Sequence, residues 1–279
     1  MKKKTTRDFY YLPDKYQDIH LACFELVKHI EDFIICEDFM FLQLSAFNVN
    51  KDEYAKFKDC VDVWDYLKKY DEKGFYKQLN KSIFLGLLMD FCYFMQESLD
   101  CSNKMRLVVA YALLRRPLVD NLKILLRVLF DDKFYDNFLE NDNYDPAQMK
   151  DEELKKLLKM TDDIRFAKPI TGEFIYHHIF EKTNNGSIIN LSNKAIHPVT
   201  TRPWNKTGEM NFNFMFTTPD DIEQLWNHYY ALLPAILMFY GELFNMSIFT
   251  LFSEEVNVDL LPKRIEKMIA IMSDVFPHK

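Results

Sequence analysis

The sequence predicts an all-α fold, a large helical bundle with one long loop that has room for a single short strand. Three observations predict it. Apolar residues recur at three- and four-residue steps along most of the 279-residue chain, the period of a helix with one buried face. Only 6 glycines are present, too few for a turn-rich β protein or for a phosphate loop built on repeated glycines. Hydrophobic residues make up 48% of the chain and aromatics 15%, enough to fill a sizeable core. No repeat period or Ser- or Gly-rich linker divides the chain, so one helical domain is expected over 1–279. Within it, 1–75 form N-terminal helices, 76–246 the core and 198–216 the long loop.

From Asp14 to Leu44, residues Ile19, Cys23, Leu26, Ile30, Phe33, Ile34 and Met40 mark an amphipathic helix, with His20, Glu25, Lys28, Glu31 and Asp32 on its other side. A second helix is expected from Asp52 to Tyr70 on Tyr54, Phe57, Val61, Trp64 and Leu67. Gly74 breaks that pattern. A third helix runs from Tyr76 to Leu99, and its middle, Ile83 to Met95, is apolar nearly all round and belongs at the bundle centre. The fourth, Asn103 to Phe130, carries Pro117, which lacks a backbone N–H and should kink the helix without ending it. A short polar helix then spans Asp131 to Glu140. Asp145-Pro146 reads as a cap and first-turn proline opening a charged helix to Met160. Helical character returns over Glu173–Lys182 and Ser187–Lys194, separated by a turn at Asn185-Gly186. Pro198, Pro203, Gly208 and the alternating Asn211 to Phe216 then predict the long loop. Thr218-Pro219-Asp220-Asp221 is a strong helix start, leading to a helix as far as Met246 with a kink at Pro234; a last helix comes after Pro262.

Charge and cysteine usage narrow the setting. The formal charge of −7 argues against a broad electrostatic footprint for nucleic acid, though a local basic cleft remains compatible with it. Cys23, Cys36, Cys60, Cys92 and Cys101 form no CxxC pair and have no His at metal spacing, which fits a reducing compartment and predicts no metal or other cofactor. The basic start lacks the apolar run of a signal peptide, so a cytoplasmic protein is expected. Ala231–Phe252 approaches membrane-spanning length, but Glu242, Asn245, Pro234 and Gly241 interrupt it, and a buried bundle helix is the expected reading.

Two segments carry the candidate chemistry. In Tyr111 to Asn121, Arg115 falls on the face formed by Val108, Tyr111, Leu118, Val119, Leu122 and Leu126. Arg116 joins Asp120, Lys123 and Arg127 in a polar stripe. In one reading these groups brace the core, Arg115 reaching a buried acid such as Asp90 or Glu97 and Arg116 pairing with Asp120. In the other, the arginines point into a cleft and grip phosphate, which suits a planar guanidinium. Some eighty residues on, His197 stands at a helix exit between Lys194 and Arg202, either capping that end or facing the arginines as an acid or base. The functional reading makes His197, Arg116 and Asp120 catalytic and Arg115, Lys194 and Arg202 ligand-binding, with His197 and Arg116 facing one pocket bordered by the loop. His177 and His178 are adjacent and point to different sides of a helix, and His228 beside Tyr229-Tyr230 reads as core or groove lining. No HExxH, GxSxG, Walker or Rossmann pattern is present.

Arg116 with Asp120, followed by Leu191-Ser192 and His197-Pro198, resembles a bacterial family of helical proteins near the HEPN superfamily, over roughly residues 80–245. The resemblance implies a HEPN-like core, an RNA- or nucleotide-targeting effector of a defence or stress system, and a homo-oligomer. Members of that superfamily commonly act as metal-independent ribonucleases through Arg-x(4–6)-His. In this chain no Arg precedes a His at that spacing, and Arg202 instead comes after His197. A non-catalytic interaction or regulatory protein is the alternative.

Overall fold

The computed structural model describes residues 9–43, 50–166, 169–213 and 218–275. The all-α class is as the sequence predicts, with helices α1 Asp14–Ile35, α2 Lys51–Lys58, α3 Val63–Tyr70, α4 Glu72–Asn103, α5 Leu107–Arg115, α6 Asn121–Phe130, α7 Phe134–Glu140, α8 Asp151–Ile164, α9 Gly172–Ile175, α10 Ile188–Ile196, α11 Pro219–Leu251 and α12 Leu260–Ser273, while the short strand for which the loop had room is not found among the described residues. The basic start over 1–8, Leu44 and positions 214–216 of the long loop lie outside the described residues.

At the centre α11 packs on α1, and α1 on α4. The α5–α6 run lies against α4, and α10 covers α5. The aromatic-rich faces supply the core: Phe84, Phe91, Tyr240 and Phe244 are all nearly inaccessible to solvent, with Phe91 and Tyr240 stacked at 4.9 Å between ring centroids. The apolar stretch of α11 is long enough to cross a membrane by length and composition, yet 83% of its apolar window is buried inside the bundle. Gly241 explains how α12 approaches it, because a Cβ at that position would lie 2.2 Å from Met268 Cε.

Several boundaries differ from expectation for local reasons. The helix expected over Asp52–Tyr70 is two helices, because the Asp62 side chain accepts from Asp65 N and starts α3 afresh. Asp145-Pro146 does not open a helix. The Asp145 carboxylate accepts from Ala147 N at 2.9 Å in a turn, and α8 begins at Asp151 with three acids in its first turn. Asn103 closes α4 rather than opening the next helix, and Met105, with φ 58°, turns the chain into α5. Thr218 and Asp221 form the expected reciprocal capping box of α11, which then runs uninterrupted through Pro234 to Leu251.

Polar groups tie the centre together. Ser98 Oγ lies 2.7 Å from Tyr229 Oη, and Ser102 Oγ lies 2.9 Å from Tyr230 Oη, which also meets His20 Nδ1 at 2.9 Å. Trp226 Nε1 donates to the Ser102 carbonyl at 3.1 Å. Arg165 and Glu242 form a buried ion pair at 3.4 Å, with Asp162 also on Arg165 at 2.7 Å. This is what the acid in the middle of the apolar α11 pairs with. Arg165→Met should therefore destabilise the fold by about 3–5 kcal/mol in urea melts, since it strands a buried carboxylate. Arg165→Met combined with Glu242→Leu should recover much of that loss.

Candidate functional site

The local geometry turns on Pro117. Having no N–H, it cannot continue an α-helical ladder, and Arg116–Asp120 forms a π-turn in which Asn121 N bonds to the Arg116 carbonyl, five residues back. The helix carries on into α6, so the proline perturbs it without ending it, as expected. The carbonyls loosened by the wider turn receive the buried Tyr240 hydroxyl, which donates to Leu118 O at 2.9 Å. The same widening changes which side chains align. Residues five apart come into register, and Arg115 Nε lies 3.7 Å from Asp120 Oδ2. Arg116 swings the other way, to Asp90 on α4, with Nε 2.7 Å and Nη2 2.5 Å from one carboxylate oxygen. The expected Arg116–Asp120 pair is thus replaced by Arg115–Asp120, and Asp90 serves Arg116 instead of Arg115.

Arg115 also donates to Asn193 Oδ1 on α10. His197, four residues further, is exposed just past the end of that helix, its carbonyl accepting from Asn213 Nδ2 at 2.7 Å. The loop folds back on itself there, with Asn213 N on Pro198 O at 2.8 Å and Thr207 N on Thr200 O at 2.9 Å. His197 and Arg202 border a small cleft of about 180 Å³, Arg115 and Asp120 a separate one of about 720 Å³, and Lys194 a third of about 430 Å³. Arg116 lines none of these three. The single pocket expected for Arg116 and His197 is therefore not what these clefts form, because the π-turn rotates Arg116 onto α4.

The third cleft has the most concentrated chemistry. It lies between α10, the loop and α11, and its lining includes Lys194, Lys206, Phe212, Asp221, Gln224 and His228. Asp221 is committed to the α11 cap, accepting from Thr218 N and Oγ1 at 2.8 Å each. Among the described residues no carboxylate lies within 4.0 Å of the Lys194 or Lys206 ammonium. Phe212, 44% exposed, is the aromatic residue of the lining. His228 Nδ1 is 2.9 Å from the Tyr111 hydroxyl, and that hydroxyl donates to Leu225 O at 3.0 Å. The other ring nitrogen, Nε2, lies beside Gly186, so the imidazole is held between the Tyr111 hydroxyl and the backbone of the Asn185-Gly186 turn. Burial holds the His228 pKa below the ordinary imidazole value, with a backbone hydrogen bond at Gly186 partly opposing it, and burial pushes the Tyr111 phenol well up. The lowered pKa keeps the ring largely neutral at pH 7. Of these residues Lys194 stands out in the sequence and His228 is expected as core or groove lining, the place it takes here, whereas Lys206 and Phe212 carry no local signal. The only signal was the adjacency of His228 to two tyrosines on a helix facing Tyr111.

No family model, curated protein or solved structure matches the chain. Among the described residues no group of three or more His, Cys, Asp or Glu side chains is placed to hold a metal ion.

The histidines give the fold a pH dependence with a definite sign. Burial lowers the pKa of His228, His29 and His178 in the folded state. The unfolded chain then binds more protons as pH falls through about 6.5, so their contribution to stability is full above that value and declines below it. Urea midpoints should drop between pH 7.5 and 5.5, and the drop should be smaller in His228→Asn.

Proposed function

We propose that this chain binds a nucleotide, or one nucleotide of a single-stranded RNA, in the cleft between α10, the loop and α11. The observation that carries this reading is the convergence of Lys194 and Lys206, neither paired with a carboxylate among the described residues, on a cleft whose acid, Asp221, is engaged in a helix cap. The chemistry of the lining divides as such a ligand requires. The ammonium groups suit phosphate, the aromatic ring of Phe212 is of the kind that stacks on a base, and Gln224 and Asn211 suit the polar edge of a base or a sugar hydroxyl. A volume of about 430 Å³ is in the range of small-molecule sites, at roughly 300–1,000 Å³. The acidic net charge restricts phosphate affinity to such a local concentration of lysines.

Of the RNA- or nucleotide-directed roles that the HEPN resemblance implies, the geometry favours holding a ligand over cutting a strand through Arg116, Asp120 and His197. Arg116 and Asp120 are each engaged in ion pairs with different partners, and His197 borders a separate cleft. Titration calorimetry with adenosine and guanosine monophosphates tests the proposal. Lys194→Ala with Lys206→Ala, and separately Phe212→Ala, should each weaken binding tenfold or more with the melting midpoint unchanged, and affinity should fall with added salt. Affinity indifferent to all three substitutions would overturn it.

A further inference from the structure

The small cleft at His197 and Arg202 adjoins the one just described across the folded-back loop. Its volume is about 180 Å³, and its lining includes Asn193, His197, Thr200, Thr201, Arg202 and Asn205. The two clefts share a wall. Asn213, which lines the first, donates from Nδ2 to the His197 carbonyl at 2.7 Å, and Thr207 N donates to Thr200 O at 2.9 Å. Together the two linings carry three permanent cations, Lys194, Lys206 and Arg202, against one carboxylate, Asp221, which is engaged in the α11 cap. The lining of the second cleft contains no carboxylate, and among the described residues none lies within 4.0 Å of the Arg202 guanidinium. In a chain of net charge −7, Glu209 is the only acid between positions 194 and 213.

Two further observations point to the kind of ligand. Asn205 is 5% exposed, and its Nδ2 donates to the Asn190 carbonyl at 3.2 Å, but its Oδ1 has no hydrogen-bond partner among the described residues. A buried acceptor left open is costly, and a ligand that brings a donor satisfies it. A phosphate dianion brings none, whereas a ribose hydroxyl or a base amino group does. The second observation is aromatic. Trp204, 41% exposed, stands between Arg202 and Asn205 in the short turn Pro203–Asn205, and Val199, Met210 and Phe212 are exposed along the same segment. Exposed aromatics interleaved with cations are what a surface for single-stranded nucleic acid needs, since bases stack on the rings while the backbone follows the positive charge. The turn is also held in advance. Thr200 Oγ1 donates to the Asn205 carbonyl and Asn205 is tied to α10, so little freedom remains to be lost on binding.

We propose that the cleft at Arg202 and Asn205 receives a second nucleotide, so that the preferred ligand is a single strand of RNA spanning both clefts and not a free mononucleotide. This rests on the nucleotide reading of the first cleft and extends it along the strand. The smaller volume suits one group of a nucleotide, a sugar or a base. Arg202 takes the linking phosphate, Trp204 stacks on the second base, and Asn205 Oδ1 accepts from its sugar or base. The experiment is titration calorimetry of the full chain with adenosine monophosphate and, separately, with a single-stranded tetra-adenylate RNA at the same salt concentration. The strand should bind about tenfold tighter or better, because its second nucleotide binds as a tethered group. Arg202→Gln should weaken strand binding about fivefold and reduce its salt dependence by roughly one counter-ion. Trp204→Ala should weaken it about tenfold. Neither substitution should change the affinity for the monophosphate, and both residues are exposed, so melting midpoints should hold. A strand that binds no tighter than the monophosphate, or that is indifferent to both substitutions, overturns the second subsite and leaves the mononucleotide reading in place. Failure of both ligands to bind overturns the two together. If Trp204→Ala lowers the melting midpoint, Arg202→Gln decides the matter by the same criterion.

Discussion

A proline in the middle of a core helix sets the arrangement of the α4, α5, α10 and α11 neighbourhood. Pro117 takes one donor out of the ladder between α5 and α6, and the chain answers with a five-residue turn instead of a break. The carbonyls so loosened are buried and need a donor. Tyr240 reaches them from α11, its hydroxyl on Leu118 O, with burial holding the phenol far above its ordinary pKa and so protonated. The register shift also sends neighbouring arginines to different helices, Arg115 to α10 and Arg116 to α4. One missing N–H thereby decides how three other helices are joined to the α5–α6 run.

Elsewhere the buried charges act as clamps between segments remote in sequence. Arg127 binds the 145–150 turn to α6 through two carbonyls, and reaches Glu153 on α8 and Asp131 just past α6. Arg165 joins the end of α8 to the middle of α11. Arg264 is the third case. Its guanidinium lies 3.8 Å from the Phe33 ring centre, donates to the His29 carbonyl at 2.5 Å and to Asn245 Oδ1 at 2.8 Å, and is held by burial to a pKa of about 10, with Asp32 opposing that shift. Each guanidinium uses its planar fork to satisfy several acceptors at once, which a lysine could not do in the same space.

The all-α class was legible because three- and four-residue periodicity and scarce glycine are properties of the sequence alone, and the α11 start was legible because a capping box is local. The Asp145 turn was misread because an Asx turn and a helix cap begin with the same residue type, and only the path of the next few residues distinguishes them. The arginine partners were misassigned for a different reason. Wheel arithmetic assumes 3.6 residues per turn, and a π-turn changes the phase of everything beyond it. His228 was hardest to read. Its ring nitrogens meet Tyr111, 117 residues away in the chain, and the backbone at Gly186, contacts that no local pattern shows. Lys194 was visible as a charge beside a helix exit; that it shares a cleft with Lys206 depends on how the loop folds back.

The Arg264 contact has a consequence for biosynthesis. It joins positions 235 residues apart, and α1 otherwise rests mainly on α4 and on α11, which also lies near the far end of the chain. At translation speeds of about 5–20 residues per second, α1 emerges on the order of ten to fifty seconds before its last partners exist. During that interval Phe33, Ile30 and Val27, which end fully buried, have no permanent cover on the side that α11 and α12 will occupy. Until those partners exist that face of α1 has only transient cover, and this part of the bundle closes once α11 and α12 reach it.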